Sequence, residues 1–314
     1  MWQWENATAG ALAGFATVAA MHPLDVVRTR FQVYDGRGSN LPTYKNTVNA
    51  IYTITRMEIL MLPLFQGLRG LYAGFYPAVL GSTVSWGLYF FFYGRAKQRY
   101  SDSGKKDLSP GLHLASAAEA GALVCFCTNP VWLVKTRMQL QSPLHQAQPY
   151  SGLYDAFRTI LREEGFAALY KGIVPSLMLQ VSHGAIQFTV YEELRKVIAN
   201  SRSKGTRVDA QNSRELLNSG DYAVLGGTSK IAAMLLTYPF QVVRARLQQR
   251  PGHDGIPRYM DSFHVLKETV RFEGIRGFYR GITPNLLKNV PAASITFIVY
   301  ENVLKLLKLT RQKE

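Results

Sequence analysis

The chain has 314 residues, of which 47% are hydrophobic, and it carries a formal net charge of +15. Two cysteines, Cys125 and Cys127, are too few for a disulfide framework or a four-ligand zinc site. The basic excess suits nucleic acid, an anionic lipid surface or an anionic substrate, and charge alone does not choose among them. No stretch of about 20 residues is cleanly apolar, so membrane spans are expected only around a water-filled cavity.

The first predicted elements form one unit. A long Gly/Ala-rich helix continues through Pro23 into a basic segment that ends at Gln32. A short amphipathic helix is predicted at 45–57, and an aromatic-x-Gly element at 72–74 starts a second long helix. In the long helix, Gly10 and Gly14 have the spacing that lets helices in lipid approach closely.

The same unit returns twice. Its prolines, Pro23, Pro130 and Pro239, recur at intervals of 107 and 109 residues. Short helices are predicted at 151–163 and 260–272, each closed by glycine, and aromatic-x-Gly elements follow at 170–172 and 279–281. We therefore divide the chain into repeats at 1–106, 107–210 and 211–314. A soluble solenoid is disfavoured, because its repeats are only about 20–50 residues long.

The repeated motif Pro-x-Asp/Glu-x-x-Lys/Arg-x-Lys/Arg-x-Gln resembles the signature of the mitochondrial carrier family over essentially the whole chain. That resemblance implies an all-α membrane protein with six tilted transmembrane helices in a pseudo-threefold barrel. Three short helices are then expected on the matrix or stroma side. It also implies a monomer that works by alternating access, with a gate at each end of a central cavity.

The second copy of the motif has the form Pro-x-Trp, and this and the overall sequence are similar to the folate/flavin branch of the family. Within that branch the plant folate carriers are most similar. The resemblance implies transport of folate across the chloroplast envelope, with the mitochondrial inner membrane as the alternative location. Flavin adenine dinucleotide, NAD and pyrimidine nucleotides remain alternative substrates, because all combine a flat ring with anionic groups.

A matrix-side gate is implied by the basic segments, because a proline kink brings the following half of each helix inward. Asp25 is the one acid left, since Trp132 and Gln241 occupy the other two acid positions, so one ion pair is predicted, Asp25 with Lys135. The alternative is that these charges only snorkel at the interface. The remaining gate residues are the bases Arg28 and Arg244 and the bracing glutamines Gln32, Gln139 and Gln248.

An outer gate is implied by an aromatic-acid-x-x-base pattern near the end of each second long helix. The pattern is complete only in the second repeat, with Glu192 and Arg195. The first repeat keeps the base Lys97, and the third keeps the acid Glu301.

In the second long helix of each repeat, polar side chains recur on one face when positions are counted from the glycine of the aromatic-x-Gly element. A polar face in such a helix indicates a hydrated cavity. Lys288 is the first candidate to bind the anion. Trp86 and Tyr89 either stack on a heterocycle or, for Trp86, face lipid. The other substrate candidates are Gly81, Ser82, Ser85, Leu179, Gln180, His183, Gln187 and Asn289, with Trp132, which by resemblance points to a nucleotide-like or pterin-like substrate.

Two charged residues, Glu119 and Lys230, lie inside the first long helices of the second and third repeats. Ionisable residues within a membrane span are functional candidates. We expect them to pair with each other, with a second substrate anchor at Lys230 as the alternative. No cofactor is expected beyond an anionic lipid such as cardiolipin at the helix N-termini after the aromatic-x-Gly turns. The lipid candidates are Tyr72, Gly74, Tyr170, Gly172, Tyr279 and Gly281.

The first repeat contains eight extra residues, 59–66, between Glu58 and the glycine that directly follows the matching glutamate in the other repeats. This segment represents mis-splicing or alternative splicing, an interfacial membrane anchor, or a regulatory element. A transport-inactive form therefore stays open. Nucleic-acid binding is disfavoured because the basic residues follow helix ends and gates, and no catalytic or metal-ligating set is evident for an enzyme.

Overall fold

The computed structural model describes residues 2–35, 44, 46–61, 70–101, 110–141, 149–202, 218–252 and 258–311. These residues form nine α-helices and three short 3₁₀ helices. The long helices are α1 (Trp2–Val33), α3 (Phe75–Ser101), α4 (Pro110–Leu140), α6 (Ile173–Arg202), α7 (Ser219–Leu247) and α9 (Ile282–Arg311). The short helices are α2 (Thr47–Met61), α5 (Leu153–Glu163) and α8 (Ser262–Glu273).

The order of elements repeats three times, as the sequence predicts. The first long helix of each repeat (α1, α4 or α7) is followed by a short helix, a 3₁₀ helix and a second long helix. The 3₁₀ helices are Gly70–Tyr72, Phe166–Tyr170 and Ile275–Tyr279. Pro23, Pro130 and Pro239 lie inside α1, α4 and α7, which continue through them.

Three segments of the described chain are long and apolar enough to cross a membrane: Thr8–Val33, Gly111–Leu140 and Ile275–Leu307. The other long helices, α3, α6 and α7, are not among these segments. Two of them carry much of the predicted polar stripe. Because a polar face lowers the mean hydropathy of a span, this difference is the one expected for helices that border water.

Each short helix packs against the first long helix of its repeat around a buried tyrosine. In the second repeat, Tyr150 packs with Leu133, Ile160 and Leu169. Tyr44 and Tyr259 occupy the corresponding clusters of the first and third repeats. These tyrosines therefore hold the short helices in place.

The ends of α5 and α8 agree with the prediction to within two residues. α8 is capped by Asp261, whose carboxylate accepts a hydrogen bond of 2.7 Å from the His264 N–H. Gly165 and Gly274 follow these helices with φ of +80° and +63°, which favours glycine. α2 instead continues past Glu58 to Met61, so residues 59–61 of the eight-residue insertion are helical, and residues 62–66 lie outside the described residues.

The chain forms two compact units. The first comprises residues 1–84, 128–172 and 242–314, and so holds the first two basic segments, the third from Val242 onward, and all three short helices. The second comprises residues 85–127 and 173–241.

The predicted packing role of Gly10 and Gly14 is wrong. A Cβ atom added at either glycine would meet no atom within 4 Å. Ala9 and Ala13, one position earlier, are the fully buried residues of this stretch. The spacing of small residues was therefore correct, but the face of the helix was not. Gly121 in α4 does make a close contact: an added Cβ would lie 2.9 Å from the Gln180 side chain.

Candidate functional site

Asp25 is the centre of a charged cluster in the first unit. Its carboxylate is 4% exposed and lies 2.6 Å from the Lys135 ammonium, so the predicted ion pair is present. Lys288 of α9 lies 2.5 Å from the other carboxylate oxygen, and Arg28 lies at 3.6 Å. One buried carboxylate thus serves three cations. The sequence analysis did not anticipate that Lys288 and the gate acid meet.

Trp132 stands beside this cluster, with Lys135 over its ring at 4.9 Å from the centroid. Gly81 of α3 lies against Val131 and the indole. A Cβ added there would lie 3.2 Å from Val131 and 3.6 Å from the Trp132 ring. The aromatic ring in the acid position therefore holds Lys135 by a cation–π contact rather than by an ion pair.

The signature glutamines make contacts between repeats. Gln139 accepts a hydrogen bond of 2.8 Å from the Thr29 hydroxyl and donates one of 3.1 Å to Asp25. Gln248 accepts a matching bond of 2.9 Å from Thr136. In the third repeat the place of these threonines is taken by Ala245, which packs with Val33 and Leu140. At this position of the motif, the contact to the next repeat is thus a hydrogen bond in the first two repeats, whereas Ala245 of the third makes an apolar contact.

The second base of each basic segment has a role that the sequence analysis missed. Arg30 donates to the Gln139 carbonyl at 3.0 Å, and Arg137 donates to the Gln248 carbonyl at 3.2 Å. Arg246 closes the cycle by donating to the Gln32 carbonyl at 3.1 Å. All three copies have arginine here, whereas the first base is arginine or lysine, and that difference was the available signal.

Two of these arginines also bind a glutamate at the end of a short helix. Arg137 donates two hydrogen bonds to Glu164, one of them at 2.9 Å, and Lys171 contacts the same carboxylate at 2.9 Å. Arg246 lies 2.6 Å from Glu273. Burial alone would raise the pKa of the Glu164 carboxyl, but hydrogen bonds and charge from Arg137 and Lys171 hold it below its ordinary value.

Asp35 forms a further link that the sequence analysis missed. Its buried carboxylate binds Arg258 at 2.7 Å and accepts a hydrogen bond of 2.9 Å from the Tyr259 hydroxyl. The pKa of Tyr259 is raised by burial and by this carboxylate, against opposing arginine charges. This contact joins the end of the first basic segment to the start of the third short helix.

Of the remaining substrate candidates in the first unit, Ser82 is partly exposed. The amide of Asn289 donates 2.8 Å to the Asn285 carbonyl of its own helix. Thr296, on the same face of α9, lies 2.8 Å from the Thr17 hydroxyl of α1.

The outer half of α3, in the second unit, carries an aromatic ladder. Tyr89 and Tyr93 are parallel, with centroids 5.9 Å apart. Trp86 is 60% exposed, stacks on Phe90 and contacts Tyr89 edge-on. Ser85, one residue earlier, is partly exposed.

The candidates on α6 meet α4 and α7. Gln180 lies against Gly121, and His183 Nδ1 lies 3.2 Å from the Thr237 hydroxyl. Gln187 and Leu179 are partly exposed on the same helix. The contact at His183 ties α6 to α7.

The predicted pair of Glu119 with Lys230 is wrong. Glu119 binds Arg99 at 2.9 Å and accepts a hydrogen bond of 3.2 Å from the Tyr100 hydroxyl, both at the end of α3. Lys230 is exposed, and no acidic side chain of the described residues pairs with it. Because Glu119 lies 13 residues before Trp132, helix periodicity turns it away from the gate-facing side.

The outer-gate candidates show one contact. Glu192 and Arg195 pair at 3.0 Å within α6, and Arg195 is buried. Lys97 is exposed and makes no ion pair among the described residues, and Glu301 is partly exposed. The role of these four residues as a gate stays a prediction.

The aromatic-x-Gly turns have one geometry. Gly74, Gly172 and Gly281 have φ of +73°, +80° and +82°. The second long helix of each repeat, α3, α6 or α9, starts directly after its glycine. Beside the first turn, a groove of about 880 Å³ is lined by residues 72–77, 151–155 and Met138. Tyr72 donates from its hydroxyl to the Ala19 carbonyl at 3.2 Å, Tyr170 packs on Phe166 and Tyr279 is 36% exposed.

Comparison with known proteins agrees with this geometry. The family model described as "Mitochondrial carrier protein" matches residues 1–104, 106–202 and 216–311. Folate transporter 1, chloroplastic, of Arabidopsis thaliana is 75% identical over 98% of this chain and 96% of its own. Nicotinamide adenine dinucleotide transporter 1, chloroplastic, of the same plant is 39% identical over 95% and 90%. The mitochondrial pyrimidine nucleotide transporter RIM2 of Saccharomyces cerevisiae is 30% identical over 97% and 86%.

The three matches to the family model and the near-complete coverage of these relatives leave one assignment, and it agrees with the resemblance seen in the basic segments. The chain belongs to the mitochondrial carrier family and has the all-α fold of that family.

Proposed function

We propose that this chain transports folate across the chloroplast envelope by alternating access. The support for the substrate is the 75% identity to a chloroplastic folate transporter over nearly the whole of both chains. The mitochondrial inner membrane is the alternative location, because further relatives are mitochondrial. Enzymatic chemistry is not part of the proposal, since the relatives reported above are transporters.

The observation that supports an anionic substrate is the charged cluster at Asp25. The Asp25 carboxylate carries one negative charge and contacts two lysines, Lys135 and Lys288. The excess positive charge lies in a helical segment where water is limited, so an incoming carboxylate gains more there than it would in bulk water. Lys288 is the cation that approaches this cluster from the second long helix of a repeat, α9. These second long helices are where carriers contact their substrates.

A transport step follows from the sharing of Asp25. When a substrate carboxylate approaches, it competes with Asp25 for the Lys288 ammonium. Once Lys288 turns to the substrate, Asp25 keeps Lys135, and the gate loses one of its two closest charge pairs. Substrate binding in this way lowers the energy needed to open the matrix-side gate, whose remaining contacts include the Asp25–Lys135 pair and the bonds of Gln139 and Gln248.

Transport by the purified chain in liposomes tests the proposal. We expect saturable uptake of labelled folate, reduced about tenfold or more in Lys288→Ala, because a charge-assisted hydrogen bond contributes about 1.5–3 kcal/mol. The matched control is Lys196→Ala, which removes an exposed lysine that pairs with Glu193 on α6. Equal losses in both variants would contradict the role of Lys288.

The same assay separates folate from its alternatives. Unlabelled flavin adenine dinucleotide, NAD and a pyrimidine nucleotide are added as competitors, and uptake of one of them in place of folate would replace the substrate assignment. A form lacking residues 59–66 runs beside the full chain. Folate uptake by the shortened form alone would identify the full chain as the transport-inactive form.

We further propose that anionic lipid binds at the turns around Gly74, Gly172 and Gly281, with the chain acting as a monomer. The N–H groups that begin α3, α6 and α9 and the positive ends of these helices favour phosphate. Native mass spectrometry with cardiolipin, phosphatidylglycerol and phosphatidylcholine checks both points. Equal retention of all three lipids would contradict the lipid proposal.

A further inference from the structure

The first long helix of each repeat contains a proline, and in α1 that proline removes one backbone hydrogen bond. Pro23 has no N–H, so the Ala19 carbonyl, four residues earlier, loses its helical donor. A carbonyl without a donor is costly inside a membrane span unless a neighbouring group replaces the missing bond. The Tyr72 hydroxyl replaces it, because it donates to the Ala19 carbonyl at 3.2 Å.

A second hydrogen bond runs in the opposite direction, from α1 to the turn before α3. His22 Nε2 lies 3.0 Å from the Ala73 carbonyl. A carbonyl only accepts hydrogen bonds, so Nε2 carries the proton and donates. The fourth residue after Ala73 is Pro77, in the first turn of α3. Both bonds therefore end on a carbonyl whose fourth following residue is a proline and cannot donate to it.

Aromatic packing holds these two donors in place. The His22 side chain is buried, and its ring stacks on Tyr72 with centroids 5.8 Å apart and an interplanar angle of 22°. Phe75 meets the His22 ring edge-on at 5.3 Å, and Phe15 of α1 meets Phe75 edge-on at 5.8 Å. Because the rings are already fixed by packing, the hydrogen bonds do not have to order two free side chains.

The residue before the signature proline is buried in all three repeats, where it is His22, Asn129 or Tyr238. In the second repeat, Asn129 makes a contact of the same kind. Its amide donates to the Leu169 carbonyl at 2.8 Å, in the 3₁₀ helix that precedes Gly172. Two different side chains at this position thus join the first long helix of their repeat to the turn before the second.

We propose that Tyr72 and His22 are positioning residues of the matrix-side gate, which fix the proline-containing part of α1 against the start of α3. His22 lies three residues before Asp25 and on the same side of the helix, so a displacement of His22 displaces the gate carboxylate. This inference rests on the proposed transport function and extends it from the residues that form the gate to those that hold it in position.

A double-mutant cycle with Pro23→Ala tests the role of the Tyr72 hydroxyl. Alanine restores an N–H that donates to the Ala19 carbonyl, which makes the hydroxyl redundant. We expect Tyr72→Phe to lower the thermal midpoint by about 2–4 °C in the wild-type chain and by less than about 1 °C in Pro23→Ala. Tyr52→Phe, at an exposed tyrosine of α2, is the matched control and should leave both midpoints unchanged. Equal losses for Tyr72→Phe in both backgrounds would overturn the role of the hydroxyl.

Substitution of His22 tests the second bond in a chain that keeps Pro23. His22→Asn retains a donor of the kind that Asn129 supplies in the second repeat, whereas His22→Leu removes it. We expect His22→Leu to reduce the saturating rate of folate uptake about fivefold, with KM changed less than about twofold, because the gate is displaced and the substrate contacts are not. His22→Asn should restore much of the rate. A raised KM at an unchanged saturating rate, or equal losses in both variants, would contradict positioning.

Hydrogen exchange distinguishes the failure of this inference from the failure of the transport proposal. Amide exchange of residues 20–30 is measured by mass spectrometry on the purified chain without substrate. We expect exchange about fivefold faster in Tyr72→Phe and in His22→Leu, and unchanged in Tyr52→Phe. Faster exchange in a chain that takes up no folate would support the positioning role and refute the folate assignment alone. Unchanged exchange in both variants would refute the positioning role, whether or not folate is transported.

Discussion

At the scale of single residues, Asp25 is an acid with three cationic neighbours. Its carboxylate is buried and contacts Lys135, Lys288 and Arg28. Removing a buried partner of this kind leaves the opposite charges uncompensated, which costs more than the pair itself contributed. The first consequence is that the effects of Asp25 and Lys288 on stability must depend on each other.

A double-mutant cycle checks this dependence. Asp25→Asn should destabilise the folded chain by about 3 kcal/mol, because two lysines then repel each other without a carboxylate between them. Asp25→Asn with Lys288→Gln should cost less than the sum of the two single changes. The readout is the thermal midpoint in detergent. Asp25→Asn with Lys196→Gln is the control and should be additive, and additivity in both cycles would contradict direct coupling.

The residues of the site differ in how far the sequence could predict them. The Asp25–Lys135 pair follows from motif spacing, because both residues occupy fixed places in a repeated segment. The contact of Asp25 with Lys288 joins residues 263 positions apart and depends on how α1 packs on α9, so no spacing reveals it. The position of Glu119 was open to prediction from helical phase, because a residue 13 positions before Trp132 points away from the face that carries the gate residues.

At the scale of elements, the short helix α5 is held by an apolar contact and by ion pairs at its end. α5 buries Ala156 and Ile160 against α4, and the Glu164 that ends it binds Arg137 and Lys171. Glycine after this glutamate lets the chain turn into the 3₁₀ helix. In the first repeat α2 runs on to Met61, since the inserted residues begin with an apolar run that continues a helix as readily as it ends one. Sequence periodicity therefore located all three short helices but not the end of the first.

The Glu164 anchor has a pH dependence with a definite sign. Because its pKa is lowered on folding, the anchor contributes stability above the ordinary carboxyl range, and this contribution is lost as pH falls through the lower folded-state pKa. We expect Glu164→Gln to lower the thermal midpoint at pH 7, by a free energy of about 3 kcal/mol. The difference from wild type should shrink as the pH is lowered below about 4.

Glu193→Gln is the matched control for this measurement, because Glu193 is exposed and pairs only with Lys196 on its own helix. Its effect on the midpoint should be under about 1 kcal/mol at every pH. A Glu164→Gln effect as small as that of Glu193→Gln would show that the short helix is held by its apolar contacts alone.

At the scale of the whole molecule, the three repeats are joined by a cycle of arginine-to-backbone bonds. Arg30 donates to the second repeat, Arg137 to the third, and Arg246 back to the first. Each bond ends on the carbonyl of a signature glutamine, whose side chain, in the second and third repeats, binds a threonine of the previous one. The repeat pattern in the sequence thus predicts which segments correspond, whereas the direction of the bonds between them emerges only from packing.

Arg246 closes this cycle across 214 residues of chain, so its replacement tests how much the closure contributes. Its guanidinium reaches the Gln32 carbonyl, the Thr269 hydroxyl at 2.7 Å and the Glu273 carboxylate at once. A lysine keeps the charge but presents a single point that does not span three acceptors. We therefore expect Arg246→Lys to lower stability by about 2–4 kcal/mol, since buried acceptors lose their donors.

The control for Arg246→Lys is Arg250→Lys, four residues further on. Arg250 pairs with the half-exposed Glu163 at 3.2 Å and lies over the Tyr150 ring at 4.5 Å, contacts that a lysine largely preserves. Its midpoint should change by the equivalent of about 1 kcal/mol or less. If Arg246→Lys is as stable as Arg250→Lys, the closure contributes little, and the first and third repeats are held together by their other contacts: the packing of α1 on α9, the Asp25–Lys288 pair and the binding of Asp35 to Arg258 and Tyr259.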